Sequence, residues 1–508
     1  FSSLLATCLK PFGICFCEKA AQKLVSAFDR LRIERQRNRN RSNRFVKYNT
    51  AKLENRSENW KMELKRIEKR RKAPHDRDLY RAIFPIYYLG KLSGVVPVRF
   101  YVDTSERCQA RLNIIDLVYS LCVLILLLGA EIWGLWRDLK DGWEHSTRLK
   151  FRTAVIATCS DVLGVMSLTV VCIVGSPFRW KYLQLVINKL IEVDRKIGVS
   201  SAKKARRFTI CLTICSLIYL WFNSILDFYS WSRKTKNETI TGKGPINYAP
   251  LYVMYTVIIS TEIQYSVATY NIGQRFVRLN NSLKSLLDTN NSNNDNEIGY
   301  FRKFPETESK TYVSNISELI MVHSLLCDTV SLINATFGVV LLAVTVSCLL
   351  HLVITPYFLI VQANEKHEWI FLLVQAGWCI IHISRMLIIV QPSYSTVGKR
   401  TAALVSQLLS CSIEADARRE LEIFSLQLLH RPLEFSACGL FSLDRNLITS
   451  IAGVVTTYLV ILRQSHITTM TFNIPILVNS GNIQIQVTRI VIYLLIITSC
   501  SINRTIDV

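Results

Sequence analysis

Phe371, Gln375, Trp378, His382 and Arg385 recur at i, i+4, i+7, i+11 and i+14, which puts all five on one helical face. The surrounding segment, 369–391, is otherwise apolar. A polar stripe in such a helix faces protein or a water-filled cavity rather than hydrocarbon. A Gln amide pairs with hydroxyls, and an indole face stacks on the C–H face of a ring and excludes water. Gln375 and Trp378 therefore suit a sugar, with interhelical packing as the alternative use of the stripe. His382 and Arg385 sit deeper, where a structural or gating role competes with ligand contact.

Acidic residues inside apolar segments are costly and therefore informative. Asp161 in 153–175 and Glu262 in 249–273 are the best cases. Glu262 sits with Tyr265 three residues on, and the two either line the same pocket or pair with Arg385. His351 and Tyr357 in 335–361 are further candidate walls. Asp116 and Glu131 lie near the ends of 112–136 and are expected to snorkel to the interface. The chain has no HExxH, GxSxG, P-loop or paired catalytic carboxylates, so an enzyme is not expected. No CxxC stands at zinc spacing, and no metal or cofactor is expected.

The elements that must position these residues are membrane spans. The chain has 508 residues, half of them apolar, with a mean hydropathy of +0.24. A span needs roughly 20 apolar residues, and seven segments qualify: 112–136, 153–175, 208–230, 249–273, 335–361, 369–391 and 443–464. Trp133, Trp136, Trp221, Trp231 and Trp369 fall near segment ends, where aromatic belts form. Many of the 15 cysteines sit inside apolar runs and read as small buried residues. Cys15 and Cys17 are candidates for lipidation, with unmodified thiols as the alternative.

Net charge is +23, yet the basic residues do not spread as in a nucleic-acid binder: 26 of 61 Lys and Arg precede residue 112. Residues 1–78 read as a basic, largely disordered cytoplasmic arm that meets anionic lipid. Residues 79–100 are amphipathic and suit the membrane surface. With the N-terminus inside, the inside loops 176–207, 274–334 and 392–442 hold nine, six and five Lys and Arg, and the outside loops 137–152, 231–248 and 362–368 hold five, four and one. The sequon Asn237-Glu238-Thr239 then falls outside. The expected fold is an all-α membrane protein of seven transmembrane helices in inverted topology, N-terminus cytoplasmic, with helices extended into the cytoplasm. Residues 288–310 read as a mobile loop.

At 456–464 the chain reads TTYLVILRQ, and Thr457-Tyr458, five residues, then Gln464 resembles the TY(five apolar)QF motif that ends the last span of insect gustatory receptors. The preceding HRPLEFSACGLFSLDRNLITSIAGVV is similar to that family's lead-in to its seventh helix, and FPIYYLGKLSGVVPVRF to its N-terminal segment. The resemblance covers roughly 79–464. It implies a non-selective cation channel opened by a small-molecule tastant, in the plasma membrane of sensory neurons. It also implies a homotetramer, or a hetero-oligomer with other gustatory receptors, whose seventh helices line a pore. Each subunit would hold its own pocket in the outer half of its bundle. Gln464 is expected at the pore or gate, with Thr457 and Tyr458 holding helix packing.

The chain departs from the motif at Arg463 and Ser465 and runs on to Val508. The tail 465–508 is atypical, and the sequence after about Leu462 is expected to come from a misread gene end. The first residue, Phe1 rather than Met, reads as that of a fragment. A bitter compound is the alternative tastant, since an aromatic pocket suits alkaloids too. A receptor coupled to G protein, disfavoured by the topology, and a transporter, disfavoured by the lack of repeats, are the alternatives of another class.

Overall fold

The computed structural model describes residues 74–102, 108–140, 152–198, 202–237, 244–295, 306–362, 369–395, 398–411, 413–431 and 433–473. The chain falls into two units, Phe1–Pro74 and His75–Val508, and the second is the one described. Residues 1–73 of the basic arm, Glu238 and Thr239 of the sequon, the tail from 474, and the side chains of Tyr357 and Arg463 lie outside the described residues.

The described chain is mostly helical. Helix α1 spans Pro74–Leu92. Pro97 has no backbone N–H to give a helix, and Val95, Val96 and Val98 are β-branched and favour strand. The amphipathic segment 79–100 accordingly splits, and β1 (Val98–Val102) pairs antiparallel with β2 (Cys108–Leu112), Val98 opposite Leu112. Then follow α2 (Ile114–Lys140), α3 (Arg152–Val174), α4 (Ser176–Ile197), α5 (Ala202–Asn237) and the single turn α6 (Gly244–Asn247). The long helices α7 (Ala249–Asp295) and α8 (Glu306–Gln362) come next, then α9 (Trp369–Ser395), α10 (Gly398–Ser410) and α11 (Ala415–His430). A second hairpin, β3 (Ser436–Ala437) with β4 (Phe441–Ser442), leads into α12 (Arg445–Asn473). The two hairpins qualify the all-α expectation. The Asn-rich stretch expected as a loop from 288 stays helical to Asp295.

Among the described residues, α2, α5, α8 and α9 are long and apolar enough to cross a membrane. The pair α3–α4, bent by 55° at Gly175, makes a fifth if it crosses as one span. Segment 176–207, expected as a loop, is thus largely the helix α4, which packs Val186, Leu190 and Val193 into the core. Helix α7 falls outside the hydropathy criterion, and α12 holds only a shorter apolar stretch, Arg445–Ile461. The reason for α7 is position. It packs against α2, α3, α5, α8, α9 and α10, and its polar residues Ser260, Thr261, Glu262, Gln264, Ser266, Thr269 and Asn271 are all buried. A helix covered by protein over most of its surface, with Val253 and Val277 left exposed, does not need a lipid-like composition all round.

Lipid tails are as apolar as Leu, so close packing and polar pairs, rather than apolar transfer from water, hold such a bundle together. Gly134 shows the packing. A Cβ there would run into the Asn247 carbonyl of α6, a backbone atom that cannot rotate away. Gly134→Ala should cost about 1–3 kcal/mol through overpacking, read as a lower unfolding midpoint of the detergent-solubilised protein. The same approach covers the end of α2, so Glu131 is fully buried rather than reaching the interface. Asp116 also stays within the protein, 2.7 Å from Lys91 Nζ and 3.5 Å from Arg99 Nε.

The ACGLF segment makes the turn of the second hairpin. Ala437 pairs with Phe441, so the loop is Cys438–Leu440, and within it Cys438 (φ 54°) and Gly439 (φ 68°) take positive φ as the central residues of a turn closed by the Leu440 N–H donating to the Ala437 carbonyl (3.0 Å). Asn334 of α8 clamps this hairpin. Its Nδ2 donates to the Glu434 carbonyl (2.8 Å), and its Oδ1 accepts from the Ser436 N–H (3.1 Å). The start of α12 is therefore tied to the middle of α8.

Candidate ligand-binding site

Five helices leave a cavity between them, with about 100 Å³ open to the centres of water-sized occupants. Helix α3 contributes Thr158 and Asp161, α5 Asp227 and Trp231, and α7 Leu251, Tyr252 and Tyr255. Helix α8 adds His351, Ile354 and Thr355, and α9 adds Phe371, Gln375, Trp378 and His382. The α9 stripe takes this position because its spacing keeps one face toward α7 and α8.

One wall is aromatic. The Trp378 ring stacks on Tyr252 (centroids 6.2 Å apart, 14° between planes) and lies 5.0 Å from Tyr255. Trp231 meets Phe371 edge-on at 5.2 Å. The other wall is polar. Tyr252 Oη donates to Asp227 Oδ2 at 2.7 Å. His351 Nδ1 lies 2.5 Å from the Ser347 carbonyl, which only accepts, so Nδ1 carries a hydrogen. His351 Nε2 lies 2.5 Å from Asp161 Oδ1. The His351 and His382 rings sit 4.3 Å apart.

Beyond His382 the polar contacts continue away from the cavity. His382 Nδ1 is 3.4 Å from Arg385 Nη1. Arg385 donates through Nε to Glu262 Oε1 (2.9 Å), and its Nη2 lies 2.8 Å from the same oxygen as an ion pair, with both side chains 1% exposed. Its guanidinium also lies over the Tyr255 ring at 5.7 Å.

Of the residues expected from sequence at the ligand, Gln375, Trp378, His382, Asp161 and His351 come together in this cavity. Glu262 and Tyr265 do not line it. Glu262 is committed to Arg385, the other use its position allowed. Tyr265 lies buried with its hydroxyl 2.7 Å from Ser393 Oγ and its ring against Phe337. Sequence reasoning missed Tyr252, Tyr255 and Asp227 and took Trp231 for a belt residue, whereas it is 7% exposed. Two signals were available: Tyr255 stands seven residues before Glu262 on the same face, and Asp227 is a carboxylate inside an apolar run.

The α12 residues lie elsewhere. Ile451, Val455 and Leu459 are its buried face. Val454, Thr457, Ile461 and Gln464 are exposed and recur at i, i+3, i+7 and i+10 on another face. Thr457 Oγ1 bonds back to the Gly453 carbonyl (2.9 Å), and Tyr458 is half-buried.

Residues 83–469 match the family described as 7tm chemosensory receptor. The gustatory receptor for sugar taste 43a of Drosophila melanogaster is 25% identical over 414 residues, covering 75% of this chain and 96% of that protein. The putative gustatory receptor 28b of Drosophila melanogaster is 29% identical over 410 residues, 76% of this chain and 86% of that protein. Among solved structures, the insect olfactory receptor OR5 from Machilis hrabei in complex with eugenol has the same fold. Its TM-score is 0.57 at 16% identity, covering 77% of this chain and 99% of that one. A match over most of the length, the sequence motif around Thr457-Tyr458 and the shared fold agree, and the chain belongs to the 7tm chemosensory receptor family as an insect gustatory receptor.

Proposed function

We propose that the chain is a tastant-gated, non-selective cation channel in the plasma membrane of sensory neurons, opened by a sugar such as fructose. The observation that carries the ligand reading is the composition of the cavity. It pairs hydroxyl-binding groups (Gln375, Asp161, Asp227, His351) with a stacked aromatic wall (Trp378, Tyr252, Tyr255). A sugar ring presents the same two surfaces, hydroxyls at its rim and C–H groups on its faces. The likeness to a receptor for sugar taste supports this choice.

In this reading the chain crosses the membrane seven times, through α2, α3, α5, α7, α8, α9 and α12. The N-terminus is cytoplasmic, as the excess of Lys and Arg in the inside loops requires. Residues 1–78 form the cytoplasmic arm, 79–464 the channel domain and 465–508 an atypical tail. Four copies, identical or mixed with other gustatory receptors, bring the exposed α12 faces together. Thr457 and Gln464 then face the pore axis, with a ring of Gln464 amides at the gate. Tyr458, half-buried, holds α12 against its own subunit.

Whole-cell current tests the reading, in cells expressing a chain with Arg463→Ile and Ser465→Phe that ends there. An inward cation current to one sugar, absent from untransfected cells, is the expected result. Silence to sugars with a current to a bitter compound would favour the second reading, for which the planar Tyr252–Trp378 stack is the specific support. Within the sugar reading, Gln375→Ala removes one hydrogen bond worth about 1–1.5 kcal/mol. The half-maximal sugar concentration should rise about tenfold with surface expression unchanged; an unaltered dose response counts against Gln375 as a contact.

A further inference from the structure

Helix α5 carries two features that ligand gating does not use. Lys203, Lys204, Arg206 and Arg207 are all exposed at its start. Cys211 and Cys215 follow, also exposed, with their sulfurs 3.8 Å apart. Cys211 stands one turn, about 6 Å, past Arg207, and Cys215 about 12 Å past it. The two thiols share a face with Ile218, Phe222 and Ile225, which are 66%, 59% and 64% exposed. That face is an uncovered apolar stripe running on from a cluster of cations.

We propose that the Cys211/Cys215 pair is a site of reversible S-acylation by a long-chain fatty acid. The inference rests on the orientation above, which puts the start of α5 at the cytoplasmic face. The four cations fix the level of anionic headgroups, and Cys211 then lies just beneath it, at the depth where juxtamembrane cysteines receive acyl chains. The donor is a long-chain acyl coenzyme A. The cysteine sulfur attacks its thioester carbonyl carbon, a new S–C bond forms, and the coenzyme A thiol leaves with the proton. No oxidant or reductant is required. The attached chain lies along the stripe of Ile218, Phe222 and Ile225.

Other uses of the pair fit less well. A disulfide needs sulfurs about 2.05 Å apart. A metal needs a third ligand, and no group of three His, Cys, Asp or Glu at metal spacing exists among the described residues. Among the other described thiols, Cys172, Cys348 and Cys379 are buried, and exposed Cys122 stands eleven residues past Arg111.

The test uses the full chain in insect cells. Free thiols are blocked, thioesters are cleaved with hydroxylamine, and the released thiols are coupled to a maleimide-polyethylene glycol mass tag. The expected result is a hydroxylamine-dependent shift in the unaltered chain that loses at least one tag in the Cys211→Ser/Cys215→Ser chain. Cys122→Ser should leave it unchanged, and any tags on Cys15 or Cys17 are common to all three. Both cysteines are exposed, so surface expression of the double variant, and of Cys211→Ala/Cys215→Ala, should match the unaltered chain. An identical shift in unaltered and double-variant chains overturns the site. An N-terminal epitope stained on intact cells separates the two failures. An epitope reached without permeabilisation overturns the orientation and the acylation site with it. A cytoplasmic epitope with no loss of tag overturns the acylation site alone.

Discussion

Arg385→Ala is expected to remove the receptor from the cell surface. Arg385 and Glu262 are each 1% exposed and hydrogen-bonded to one another at the interface of α7 and α9. Removing the guanidinium leaves a buried carboxylate without its partner, at a cost of about 3–5 kcal/mol. That is a large share of the roughly 5–15 kcal/mol that holds a folded domain together. The same reasoning says the pair itself adds little net stability, since apolar residues of similar volume often serve as well. Arg385→Met with Glu262→Met should therefore recover most of the surface population lost in the single variant. Surface biotinylation and the unfolding midpoint in detergent measure both. A double variant as depleted as Arg385→Ala would show that the arginine is required for its contacts with His382 and Tyr255 instead.

Trp378→Ala should give the largest loss of ligand response among chains that still reach the surface. The indole is 8% exposed and touches Tyr252, Tyr255 and His382 across the cavity. Truncating a buried aromatic anchor in a binding site costs about 2–4 kcal/mol, so the half-maximal sugar concentration should rise between about thirtyfold and a thousandfold. Trp378→Phe keeps a smaller ring against Tyr255 and should stay within about tenfold of the unaltered receptor. Dose–response currents, normalised to surface expression, make the comparison. An unchanged response in Trp378→Ala would move the ligand out of this cavity.

These residues also show what the sequence made legible. The α9 stripe was readable because helical periodicity alone puts Gln375, Trp378 and His382 on one side, and an apolar background makes polar residues conspicuous. Asp161 and His351 stood out for the same reason. Which polar residues face the cavity and which face each other was not readable. Glu262 and Asp161 look alike in sequence, but only the packing of α7 on α9 puts Arg385 within reach of one of them. Trp231 failed differently: proximity to a segment end suggested a belt, while α5 continues as helix to Asn237 and keeps that ring inside. Helix α7 was legible only in its apolar first half, 249–273; that it continues as helix to Asp295 through polar and Asn-rich residues was not. The hairpins went unread because their pairing depends on contacts that no local pattern announces.

The unbroken length of α8 has a mechanical consequence. His351 at the cavity and Asn334 at the hairpin clamp lie 17 residues apart on one helix, about 26 Å at 1.5 Å per residue. The proline inside this helix, Pro356, lies past His351, so no breaker interrupts the stretch between cavity and clamp. A helix without a hinge behaves as a strut. Any tilt or rotation that an occupant imposes at His351 must arrive at Asn334, and through its two hydrogen bonds at the root of α12. In the proposed channel, ligand and gate are thus geared together by one rigid rod, with no relay of side chains needed over the distance between them.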